Sequence, residues 1–335
     1  MRAGPARPEQ TGPSEEMSNA GSSADQTPGL PDREARARDA KGLGRGDPGW
    51  SDSTWNGAAA PTLPAKSLPQ KMRGALRLFL FLSATLLLLP VYFAARLLGH
   101  GPNRYVAGLW CGVGARLCGL RLRIIGTPLR EPGVIVANHS TWIDILTIGP
   151  SAPVHFVAKA EVSSWPLFGW IGRISDTVFI ERRRTEAKAQ ERHLIERALR
   201  GDLLCIFPEG TSSDGLRVLP FKSTLFSMFF ARDEQGRPLG EALKVQPLSI
   251  HYGPHPRSGL PPEFYGWWGR MPLFQQIWDV TCLSNGGLAT LEFHEPLRPG
   301  DFADRKSLAA AAQELVALGR ERAAAEAALG APENS

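Results

Sequence analysis

Hydrophobic and polar positions divide the chain into four stretches. Up to about residue 70, Gly, Pro, Ala, Ser and charged residues dominate without any apolar periodicity. Such a stretch cannot bury enough surface to offset its ordering entropy and reads as disordered. Met72 opens a basic run ahead of the next stretch, so an over-extended start upstream of Met72 is the alternative reading of these residues. Positions 78–95 are almost wholly apolar, with Lys71, Arg73 and Arg77 before them and Arg96 after. About 18 residues is short for a helix that spans a bilayer, and Pro90 would kink it. No small-x-small cleavage site follows, so the segment 71–102 is read as a retained membrane anchor and not as a signal peptide.

From 103 to 300 the pattern changes to short apolar runs alternating with helical ones. Runs at 134–137, 154–158, 177–180, 203–207, 245–250 and 289–293 predict strands, and 141–148 predicts a helix after the first. Residues 185–200 place Leu194, Ile195, Ala198 and Leu199 on one face with charge elsewhere, an amphipathic helix. The final stretch, 301–335, carries an Ala/Glu-rich helix over 304–329 that stops at Gly330. This alternation predicts an α/β domain: a largely parallel central sheet flanked by helices, with an N-terminal membrane-associated helix. In such sheets ligands bind beyond the carboxyl ends of the strands.

Composition narrows the partners. The 335 residues carry 38 Lys+Arg against 33 Asp+Glu, a formal charge of +5 that suits an anionic membrane surface and is too small to argue for nucleic acid. Nor is there an aromatic-interleaved basic strip of the kind that stacks bases. Cys111, Cys118, Cys205 and Cys282 are scattered, with neither zinc-ligand spacing nor a disulfide framework, so no metal is expected. Cys205, inside an apolar run, reads as a small buried hydrophobe.

Three polar motifs follow predicted strands. In Asn138-His139-Ser140-Thr141-Trp142-Ile143-Asp144, the His and Asp would lie roughly 140° apart on one regular helix. They can meet only if His139 stays on the loop and the helix starts just beyond it, with Ser140 or Thr141 as cap. A helix N-terminus would keep the imidazole neutral, and the Asp144 carboxylate would fix its tautomer and stabilise the imidazolium as it forms. A substrate hydroxyl can then take the place of a protein serine. The bland alternative is a structural His beside a helix cap. In Phe207-Pro208-Glu209-Gly210-Thr211-Ser212-Ser213, Gly210 permits a sharp turn with backbone N–H groups facing an anion, and Glu209 is placed to accept from substrate hydroxyls; an ordinary strand-exit turn has the same composition. The third, Phe179-Ile180-Glu181-Arg182-Arg183-Arg184, offers guanidinium groups to a phosphate or carboxylate, or else a solvated charge run.

Taken in order, Asn-His-x4-Asp, Phe-Ile-x-Arg, Phe-Pro-Glu-Gly-Thr and the Val-x-Pro of Val245 to Pro247 resemble the glycerolipid acyltransferase superfamily over about residues 133–250. The resemblance implies His139 as general base and Asp144 as its partner, Arg182 on the acceptor head group, and Glu209, Gly210 and Thr211 positioning the acceptor. Asn138, Pro208 and Pro247 would support the site. The donor would be acyl-CoA or acyl carrier protein, with no metal or organic cofactor, and the acceptor a lysolipid hydroxyl at the cytoplasmic face of the inner membrane. Lysophosphatidate, to give phosphatidic acid, is the leading acceptor.

Two departures bear on that acceptor. Asp176 stands where the superfamily often has Gly, and Thr211-Ser212-Ser213 replaces Thr-Arg-Ser, removing a phosphate partner. The continuation Ser213-Asp214-Gly215 to Leu219-Pro220-Phe221-Lys222-Ser223, with Phe264-Tyr265-Gly266-Trp267-Trp268, is similar to the subgroup that acylates lyso-ornithine lipid. Lys222 would pair with a carboxylate or phosphate there, and the aromatic cluster would lie at the membrane interface or in the core. Two other classes remain: a lipid thioesterase or esterase using the same pair on water, against which stands the lack of a Gly-x-Ser-x-Gly elbow, and a non-catalytic lipid-binding protein.

Overall fold

The computed structural model describes residues 60–98, 102–131, 133–165, 168–180, 187–233, 235–236, 238–240 and 242–329. The part of the expected disordered stretch before residue 60, the residue Arg182 and the stop at Gly330 lie outside them; the expectation fails for Leu68 to Gln70, which already belong to the first helix. The first helix, α1 (Leu68–Leu97), starts ten residues before the apolar run, with the Ser67 N–H donating to Gln70 Oε1 at 2.8 Å. After it come α2 (Pro102–Leu117), β1 (Leu120–Ile125), β2 (Gly133–Ala137), α3 (Ile143–Ile148), β3 (Val154–Lys159), α4 (Phe168–Ile174), β4 (Val178–Ile180), α5 (Ala187–Leu199) and β5 (Leu203–Ile206). The chain closes with β6 (Lys244–Gly253), α6 (Leu273–Leu283), β7 (Gly287–Phe293) and α7 (Arg305–Ala328).

The strands form one sheet in the order β1-β7-β6-β2-β5-β3-β4. All neighbours are parallel except β6 and β7, so the sheet is mixed, with β1 and β7 reversed against the other five. Six strands fall where apolar runs predict them. The seventh, β1, reads Leu-Arg-Leu-Arg-Ile-Ile and lies at an edge, where charged side chains interrupt the apolar signal. β2 sits at the centre with all five residues buried, as a strand covered on both faces must. Its alternate side chains feed two cores. Ile135 and Ala137 join Leu248, Ile250, α2, α3 and α6 on one face. Val134 and Val136 join Leu204, Ile206, α5 and α7 on the other.

α1 is tied to the rest at both ends. Near its start, Arg77 donates to the carbonyls of Thr281 (3.0 Å) and Ser284 (2.7 Å), and Arg73 to that of Cys282, so two flanking basic residues cap the exposed C-terminal carbonyls of α6. Near its end, Tyr92 donates to the Ile174 carbonyl at 2.6 Å, and Arg96 makes paired 3.0 Å bonds to both Asp176 oxygens. Asp176 has φ +55°, the left-handed region, which accounts for a glycine at this place in the superfamily and is tolerated by Asp better than by most residues. Between these ties Phe79, Leu82, Leu86, Leu87 and Val91 are exposed, and only 11% of the most apolar window is buried.

On the α7 face of β6, His251 is buried with Nδ1 unpartnered among the described residues. Burial, reinforced by the nearby Arg320 charge, pushes its pKa down to about 4. The unfolded chain takes up this proton near the ordinary value of 6.5, so His251 costs nothing above pH 6.5 and withdraws stability as pH falls from 6.5 towards 4. His251→Gln should therefore flatten acid destabilisation in that window by about 2–3 kcal/mol, read from urea midpoints at pH 7 and pH 4.5.

Candidate active site

Because β2 and β5 are parallel neighbours, the loops after both leave the same edge of the sheet. Asn138 closes the end of β2: its amide donates to the Ile250 carbonyl (2.9 Å) and accepts from the Ile250 N–H (2.8 Å). This fastens the chain to β6 one residue before His139. The next residue leaves the sheet, and helix α3 begins only at Ile143, so His139 is on the loop as the spacing required.

His139 Nδ1 lies 2.7 Å from Asp144 Oδ2. The carboxylate is fully buried, and Oδ2 also accepts from the backbone N–H groups of Ser140 (3.0 Å) and Thr141 (3.2 Å). Oδ1 accepts from the Tyr252 hydroxyl at 2.7 Å. The expected cap is thus inverted. Ser140 and Thr141 give backbone N–H groups to the Asp144 side chain, and the Thr141 hydroxyl makes only a long 3.4 Å contact with the Ile143 N–H. A six-residue α3 has little dipole to offer, so the carboxylate, not a helix end, sets the imidazole's surroundings. The ring is partly exposed, at 23%, and the Phe207 ring stacks on it with centroids 4.3 Å apart; Phe156 stacks behind Phe207.

The second loop lies alongside. Glu209, expected to contact the acceptor, is fully buried: its carboxyl rests against the backbone N–H groups of His139 and Leu219 without full hydrogen-bond alignment. Burial raises its pKa well above the ordinary carboxylate value, with the Asp144 and Asp214 charges adding to the effect. Gly210 has φ +69°, and a Cβ there would come within 3.1–3.3 Å of the Lys222 chain end, so Lys222 lies over the Gly210 turn. Pro208 is buried and its carbonyl accepts the Lys222 N–H at 2.9 Å. Thr211 is partly exposed at the same edge. Pro247, opposite Val136 in the β2–β6 ladder, accepts the His294 N–H at 3.0 Å.

Two further segments grip the His139 loop. The Ser213 N–H donates to the His139 carbonyl (3.0 Å), and the Trp267 N–H to the Ser140 carbonyl (2.8 Å). Gly266 passes so close to Asp214 that a Cβ would meet its carbonyl oxygen at 2.9 Å. Tyr265 and Trp268 are buried, Tyr265 bonding Ser284 Oγ at 2.7 Å, so these two rings of the aromatic cluster belong to the core. Sequence reasoning missed Tyr252, Phe207 as a stacking partner and this double grip. Tyr252 shares a strand face with Leu248 and Ile250, and alternation alone reads it as core packing.

An Acyltransferase family model matches residues 121–250, the span that contains this site. A lyso-ornithine lipid O-acyltransferase of Rhodobacter capsulatus is 38% identical over 77% of the chain and 92% of its own length. A 1-acyl-sn-glycerol-3-phosphate acyltransferase of Neisseria meningitidis is 40% identical over 42% of the chain and 56% of its own. Among solved structures, the fold is similar to the 1-acyl-sn-glycerophosphate acyltransferase PlsC of Thermotoga maritima. The TM-score is 0.57 at 22% identity, covering 79% of this chain and 100% of that one. The chain is an acyltransferase and belongs to that family.

The burial of Glu209 separates two roles for it. If its neutral acid supports the His139 loop, Glu209→Gln, an isostere of that acid, keeps kcat within about three-fold, while Glu209→Ala loses about 10²-fold or unfolds through the void left behind. Steady-state rates and thermal melts of the two variants check this; a Gln variant as inactive as the Ala one would assign the carboxylate a direct part.

Proposed function

We propose that this enzyme moves a fatty acyl group from a thioester of CoA or acyl carrier protein to the hydroxyl of a lysolipid, and that the lysolipid is lyso-ornithine lipid. Extent of similarity carries the choice of acceptor. The lyso-ornithine relative aligns over 77% of the chain against 42% for the lysophosphatidate relative. The lack of Arg after Thr211 supports it, since lysophosphatidate is the acceptor that would need that partner most. Lyso-ornithine lipid therefore replaces lysophosphatidate as the leading acceptor.

In this reading Asp144 occupies Nδ1 of His139, and Nε2 is the base. As the acceptor oxygen attacks the thioester carbonyl, Nε2 takes the hydroxyl proton. The tetrahedral intermediate collapses by breaking the C–S bond, and the imidazolium returns the proton to the departing thiolate. Nothing in these steps calls for a metal or organic cofactor. Arg182, Gly210, Thr211 and Lys222 keep the acceptor-side roles expected of them, whereas the buried Glu209 supports the loop in place of touching the acceptor. A cavity of about 130 Å³, walled by Leu88, Leu89, Val106, Trp110, Ile145 and Phe156, supports a site for an acyl chain, because Phe156 leads through Phe207 to His139.

The exposed apolar side of α1 supports attachment to the membrane, at the cytoplasmic face where the thioester donors are made. Both ends of α1 bond the catalytic domain, so crossing a bilayer along its length would carry the domain in with it. Lying along the surface, with its apolar side sunk into one leaflet, fits these ties better.

Purified protein in detergent, given labelled acyl-CoA or acyl carrier protein thioester, should convert lyso-ornithine lipid to the diacyl product. Lysophosphatidate should serve at least ten-fold less well, and His139→Ala should lose 10²-fold or more. Preference for lysophosphatidate would reverse the acceptor assignment, and fatty acid release without acceptor would indicate a hydrolase.

A further inference from the structure

Around the catalytic pair, one buried side chain has a contact that packing does not require. Tyr252 lies in β6 on the face that meets α3, and its ring packs beside that of Tyr265, with centroids 5.9 Å apart. Phenylalanine would fill the same space. Yet its hydroxyl reaches the one Asp144 oxygen that neither His139 nor the backbone uses, at 2.7 Å, and also lies 2.9 Å from Thr147 Oγ1. With the Tyr252 proton given to Asp144, the Thr147 hydroxyl donates to the Tyr252 oxygen, so Tyr252 is held from two sides by α3.

We propose that Tyr252 is a positioning residue of the acyl transfer: it fixes the rotation of the Asp144 carboxylate and, through it, the direction in which His139 presents its free nitrogen. The argument starts from the side-chain torsion. The terminal torsion of an Asp is broad, with no deep staggered wells, so a carboxylate keeps one orientation only where hydrogen bonds on both oxygens impose it. On the Oδ2 side the Ser140 and Thr141 N–H groups come from the same loop that carries His139. They therefore cannot serve as an independent reference for it. Tyr252 comes from β6 in the middle of the sheet and is the outside reference. Burial, and then the negative charge of Asp144, push the phenol well above its ordinary pKa, so it remains a donor throughout the working range.

The inference rests on the base role given to His139. It adds that the direction of the base is set from β6 through one buried hydroxyl, beside the Asn138 clasp that anchors the loop to the same strand. Positioning of this kind affects the transition state more than substrate affinity.

Kinetics of the full-length enzyme test this. Tyr252→Phe should lower kcat about ten-fold, leave both KM values within two-fold, and keep the thermal midpoint within a few degrees. In an Asp144→Asn chain the same substitution should cost nothing further, because the carboxylate it acts through is gone. If Tyr252→Phe does not fold, Thr147→Val removes only the hydroxyl that steadies Tyr252, and a smaller kcat loss at constant KM is expected. Unchanged kcat in Tyr252→Phe, a loss confined to KM, or a full ten-fold loss persisting beside Asp144→Asn would overturn the proposal. Retention of activity by His139→Ala would instead overturn the base role on which it stands, so the two failures are distinct.

Discussion

A carboxylate with no exposed surface is costly unless both oxygens are hydrogen-bonded, and Asp144 meets that condition with three bonds on Oδ2 and one on Oδ1. Each donor comes with a structural demand. The Ser140 and Thr141 N–H groups require the loop to curl back over α3, which holds His139 off the helix. The imidazole must turn its Nδ1 inward. Tyr252 must stand in register on β6, and Asn138 secures that register by clasping Ile250 two residues before it. The architecture of the edge of the sheet can be read as the set of conditions under which this one charge is buried.

Segments distant in the chain hold this arrangement from outside. Ser213 and Trp267 take the carbonyls of His139 and Ser140, one from each side, and Arg320 of α7 donates to the Gly215 carbonyl at 3.0 Å. Glu209 lies fully buried beside the same loop. These segments make their visible contacts to the catalytic loop, so a change in them alters the grip on His139 as well as the surface around it.

How much of this was legible in the sequence depended on whether the signal was local. Strands β2 and β5 announce themselves because four or five consecutive apolar residues fit only a strand covered on both faces. The His139–Asp144 pairing followed from helical geometry, since a five-residue spacing forces the His onto a loop. β1 was hidden by its two Arg residues. The Tyr252 contact, the Phe207 stack and the Ser213 and Trp267 bonds join positions far apart in the chain. They are set by strand register and loop path, which no local pattern encodes. Glu209 illustrates the opposite case: the motif was visible, but burial decided which way its carboxyl faced.

Asp176 and Arg96 carry a consequence for single substitutions at the end of α1. A non-glycine residue in the left-handed region costs about 1 kcal/mol, and a paired guanidinium–carboxylate contact at a partly exposed site returns a similar amount. The strain is present with any non-glycine side chain at 176, whereas the compensating contact needs Arg96. Removing Arg96 alone therefore leaves the strain unoffset, while Asp176→Gly removes strain and contact together and comes close to neutral. The joint between α1 and the turn after α4 is thus asymmetric, sensitive from the helix side and tolerant from the turn side.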